Sequence, residues 1–140
     1  MANIVPDSFK QELFLATHNF NTTSGNTFKL ALYTTVSGFS TGTTNYITTN
    51  EASGTGYTAG GTTLVNSTVT VAQNISFISF NNATFSTATL TASCCLIYNS
   101  TQSNKAVVVL DFGGSKTSTN GDFTIQFPTA NSTSAVLRIS

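Results

Sequence analysis

Apolar residues in this chain recur mainly at every second position, in short runs divided by Gly, Asn, Ser and Thr. That period belongs to β-strands. Phe28–Thr34 sets Phe28, Leu30 and Leu32 against Lys29, Ala31 and Tyr33. Thr63–Val71 and Asn74–Phe80 read as a hairpin turning at Ala72–Gln73, the alternation Val65, Ser67, Val69 sharpening toward Val71. Phe85–Tyr98 is long enough for one bent strand or two short ones. Lys105–Phe112 holds five consecutive apolar residues, which implies burial on both faces. Gly113–Gly121 then reads as a connection ending in the turn dipeptide Asn120-Gly121. Beyond it, Asp122–Phe127 alternates until Pro128, and Ala135–Ile139 is a last strand.

One segment departs from this period. Phe9, Leu13 and Ala16, joined by Phe14, follow helical spacing over Asp7–Thr17, with Pro6 before them and a Ser8/Gln11 capping-box spacing. Such a helix is too short to stand alone and has to pack on something. Tyr46–Thr48 is a brief extended stretch, and Glu51–Gly61, with four glycines, reads as an ordered surface loop. Seven or eight strands with frequent turn signals, after one short N-terminal helix, predict an all-β fold. We read it as one antiparallel β-sandwich domain over residues 1–140, jelly-roll-like, with residues 1–20 as an arm and helix.

Composition narrows the chemistry. Ten of 140 residues carry formal charge, five of each sign, while about two-fifths are Ser, Thr or Asn. An ordinary domain has about 25% charged residues. Zero net charge gives no steering toward nucleic acid or an anionic membrane. No secretory signal and no membrane span is expected. Cys94 and Cys95 are neighbours on a predicted strand, so one sulfur is expected in the core and the other outside it, both as thiols.

The residues able to do chemistry are scattered. His18, the one imidazole, reads as a solvated or helix-capping side chain. Asp7, Glu12, Glu51, Asp111 and Asp122 are the carboxylates. Asp111 and Asp122 flank the Gly113–Gly121 connection, where they are expected to approach across a hairpin with Lys116 between them. A loop-ordering charge group suits these three better than a catalytic pair. Gly54-Thr55-Gly56 lacks the Lys-Ser/Thr of a phosphate loop. The reading is a protein that is not an enzyme, with no catalytic residue, no metal and no cofactor.

Several segments carry a family resemblance. They are SFKQELF to HNF (Ser8–Phe20), FKLALYT (Phe28–Thr34), TTNEASGTGYTAGG (Thr48–Gly61), LIYNSTQSNKAVVVLDFGGSK (Leu96–Lys116), FTIQFP and LRI. Over nearly its whole length the chain resembles a family of small virion structural proteins of tailed bacteriophages. The resemblance implies a non-enzymatic protein made in the bacterial cytoplasm and built into the particle. The expected role is a capsid cement or decoration protein that binds the major capsid protein and itself, as trimers or dimers. Neither nucleic acid nor membrane is an expected partner. The candidate interface is Phe9, Leu13, Phe14, Tyr46 and Tyr57, on the N-terminal helix and in the loops. The alternatives are a tail, neck or fibre-associated module, and a lectin-like sandwich that would present Tyr46 and Tyr57 to a glycan.

Overall fold

A computed structural model of the chain describes residues 3–66 and 68–140. Met1 and Ala2 of the arm, and Ser67 of the alternation before Val71, lie outside the described residues. Among the described residues, one helix, α1 (Asp7–Phe14), precedes seven strands. These are β1 (Phe28–Tyr33), β2 (Thr62–Thr63), β3 (Thr70–Ala72), β4 (Ile75–Ile78), β5 (Ala83–Asn99), β6 (Lys105–Ile125) and β7 (Leu137–Ile139). They form two antiparallel sheets, ordered β2-β1-β5-β6 and β3-β4-β7. The fold is therefore mostly β and sandwich-like, with four strands in one sheet and three in the other among the described residues. Among the described residues, no helix is long and apolar enough to cross a membrane.

The β5–β6 hairpin is the backbone of the molecule. It pairs from Asn99↔Lys105 at the turn to Ala83↔Ile125 at the far end. The Gly113–Gly121 segment is not a connection, because β6 runs through it. Between Ala92↔Lys116 and Cys94↔Asp111, four residues of β6 stand opposite Ser93 alone. Gly113 and Gly114 absorb the excess with φ of 76° and 150°, so the strand bulges and then resumes pairing. Hydroxyl pairs then close the sheet, Thr91 with Thr117 at 2.9 Å and Thr84 with Thr124 at 3.1 Å.

Both faces of the large sheet are covered. Leu30, Leu32, Cys95, Ile97 and Val108 belong to one layer, with Phe9 of α1 and Leu64. Ala31, Tyr33, Cys94, Leu96, Tyr98 and Val109 form the other, packed by Val36, Phe39, Tyr46 and Ile47. Phe20, Phe28, Phe80 and Phe127 continue the first layer as a chain of rings. Phe20 and Phe28 are stacked at 4.4 Å, and Phe80 lies 5.9 Å from Phe28 and 5.8 Å from Phe127. Two-sided burial explains the continuous apolar run of β6.

It also corrects the cysteine expectation. Cys94 and Cys95 do point to opposite faces, but both are fully buried because each face has its own layer. Burial, and then Asp111, pushes the Cys94 thiol up to about 11, and burial pushes Cys95 higher still. Neither thiol should react with a maleimide in the native protein at neutral pH, and both should react after unfolding. Rapid labelling of the native chain would contradict the two-layer packing.

The remaining differences are local. The β3–β4 hairpin turns at Gln73–Asn74, one residue later than expected, with φ of 53° and 63° at the two positions. A two-residue hairpin needs both central residues left-handed, and Asn tolerates this. Thr63–Val71 is split between β2 and β3, and Tyr46–Thr48 forms no strand. Helix α1 stops three residues early because Ala16 turns left-handed at φ 56°. The expected capping box does not form, since Ser8 Oγ donates to the Thr43 carbonyl at 3.3 Å.

Candidate functional site

Helix α1 is tied to the sheet through one buried carboxylate. Glu12 Oε2 lies 2.6 Å from His18 Nε2, and Lys105 Nζ donates to Glu12 Oε1 at 3.0 Å. On its other side His18 Nδ1 is 3.0 Å from Asn99 Nδ2. The hydrogen-bond network assigns the imidazole tautomer. Asn99 Oδ1 accepts from the N–H groups of Thr101 and Gln102 at 3.1 and 3.2 Å, so its amide nitrogen faces His18 and Asn26. That nitrogen only donates, so His18 accepts at Nδ1 and donates from Nε2 to Glu12. The expectation of a solvated histidine is thus overturned: His18 is buried, with Phe9 4.9 Å from its ring. Both ring nitrogens are used within the fold.

A second carboxylate organises the Glu51–Gly61 loop. Glu51 Oε1 accepts from the Tyr57 hydroxyl at 2.6 Å and the Gly60 N–H at 2.7 Å, and Oε2 accepts from the Tyr46 hydroxyl at 2.6 Å. The Tyr57 oxygen also accepts from the Leu32 N–H of β1 at 3.0 Å. Tyr98 donates to the Gly60 carbonyl and Tyr33 to the Ile47 carbonyl, each at 2.6 Å. All four tyrosines of the chain therefore brace this one region. Their acidities follow. Burial, then the hydrogen bond to Glu51, holds Tyr46 and Tyr57 well above the ordinary tyrosine value. Burial, then the charge of Glu51, raises Tyr33 and Tyr98 in the same direction.

The sign for stability is fixed by these shifts. A tyrosine with a raised native pKa ionises more readily in the unfolded chain. Its contribution is complete below pH ~10 and is lost as pH rises beyond that value. Denaturant midpoints should therefore be flat from neutral pH to about 8, begin to fall near about 8.5 as the two thiols ionise in the unfolded chain, and fall steeply above about 10. A midpoint that rises or holds steady through pH 11 would contradict the bracing role.

The five candidate interface residues divide. Phe9 lies in the core and Leu13 is half-buried against it. Tyr46 and Tyr57 are half-buried, with hydroxyls turned inward to Glu51. Phe14 is 94% exposed, and Leu15 beside it is 68% exposed. Asp111 and Asp122 do not face each other across a hairpin, because both lie on β6. Asp111 accepts from the Gly113 N–H at 2.8 Å and Asp122 from the Thr87 N–H at 3.2 Å. With Lys116 they line one open hollow of about 610 Å³ on the bent strand.

Sequence reasoning missed both carboxylate nodes. Glu12, His18, Asn99 and Lys105 are brought together only by the docking of α1 on the β5–β6 turn, which leaves no local signal. The Glu51 node did leave one, an isolated acid followed by Gly and Tyr in a loop otherwise free of charge. Comparison with protein-family models, curated proteins and solved structures gives no match for this chain.

Proposed function

We propose that this chain is a non-enzymatic structural protein of a bacteriophage particle, acting as a capsid cement or decoration protein that binds the major capsid protein and itself. The resemblance of its sequence blocks to small virion proteins motivates the reading. The observation that carries it is Phe14, an almost fully exposed aromatic at the end of a helix whose body is pinned by Glu12. An apolar side chain presented to solvent from an anchored helix suits burial against a neighbour. Both carboxylate nodes spend their hydrogen bonds on holding loops and helix in place, which suits a part that must keep its shape. Many weak contacts repeated over a lattice would hold such a part firmly.

Particles assembled with Phe14→Asp should carry at least about tenfold less of this chain after sedimentation. Thr22→Asp, at another exposed position, should leave the amount unchanged. Full retention of the Phe14→Asp chain would remove the helix end from the contact surface.

A further inference from the structure

A groove of about 450 Å³ runs between α1 and the small sheet. Its walls include Phe9, Leu13, Phe20, Phe77, Ile78 and Leu137. Apart from Lys10, Ser76 and Arg138, every residue lining it is apolar. Small-molecule sites typically measure about 300–1,000 Å³ and pair an apolar wall with a few polar groups. Here the charged groups have one sign, for no carboxylate lines the groove. Lys10 is drawn to Asp7 at 2.9 Å. Arg138 spends one N–H on the Thr133 carbonyl at 2.9 Å and has no carboxylate partner among the described residues.

We propose that this groove binds a single-chain anionic amphiphile, of the class of a long-chain carboxylate. The hydrocarbon would lie along the aromatic and aliphatic walls, and the anionic head would meet Arg138 with Lys10 near by. A peptide fits less well, since it would bring a polar backbone into a channel offering three polar side chains. A cationic amphiphile would meet like charge. The inference is independent of the assembly role, and particle copy number does not bear on it.

The test is titration of the full chain with dodecanoate below its micelle-forming concentration, followed by methyl NMR. Dodecyltrimethylammonium, dodecanol and vesicles of anionic phospholipid are the comparison probes. The expected result is saturable shifts at Val69, Ile78, Leu137 and Ile139, with the cationic probe silent and dodecanol weaker. Arg138→Gln, which keeps a donor for Thr133, should weaken dodecanoate about tenfold. Val69→Asp, at an exposed groove position, should weaken it as well. Absence of saturable shifts, equal binding of dodecanoate, dodecanol and dodecyltrimethylammonium, or shifts centred elsewhere would overturn the proposal. So would binding to vesicles without binding to the free carboxylate.

Discussion

Glu12→Ala should lower the unfolding free energy by about 1–3 kcal/mol, the cost of leaving a buried polar group without its hydrogen-bond partner. The carboxylate is the acceptor for both His18 Nε2 and Lys105 Nζ. Without it a buried imidazole N–H loses its partner while Asn99 still holds the ring from the other side. Lys105 is partly exposed and can turn to water, so most of the loss falls on the histidine. An eight-residue helix has little stability of its own. Its position rests on Phe9 in the core and on this carboxylate. Glu12→Gln should be milder, because the amide oxygen can still accept one of the two bonds. Urea titration distinguishes the variants, and a loss below about 1 kcal/mol for Glu12→Ala would mean the node is not a structural anchor.

Gly61→Ala should be more damaging, for a different reason. Gly61 has φ of 77°, and a Cβ there would run into the Leu30 carbonyl, with Ala31 Cα at 2.8 Å. The obstacle is the backbone of β1 in the middle of the large sheet, which cannot rotate aside. Left-handed strain and forced separation of β1 from the loop together suggest about 3–5 kcal/mol. Gly38→Ala is the control. It has φ of 106° but nothing within 4 Å of the added methyl, so backbone strain of about 1–2 kcal/mol is all that is expected. Similar losses at the two glycines would show that conformation, and not the approach to Leu30, sets the effect.

The strands were legible where one rule governed them. Period-two alternation marked β1, and the doubly apolar run marked the start of β6, because burial alone decides those positions. The second half of β6 was hidden by its own composition. Ser, Thr, Asn and Gly over residues 113–121 are turn formers in isolation, yet opposite β5 the glycines become bulges and the threonines pair across strands. The hairpin turn lies one residue beyond the expected position because Gln73 takes a left-handed conformation that Gln rarely adopts. The burial of His18 leaves no signal in the sequence for a reason of distance. Its partners lie six residues away at Glu12 and eighty-one away at Asn99, and only the folded sheet brings the second within reach. Tyr57 lies in the loop expected for it, but loop position does not reveal that its hydroxyl, like that of Tyr46, is turned inward to an acid.

The number of copies in a particle tests the proposed assembly into a shell most directly. Counting this chain in an electron-microscopy reconstruction, with quantitative mass spectrometry of the same preparation, should give one or more copies for every capsid hexamer. A count of six or twelve confined to the tail vertex, or none in the particle, would contradict it.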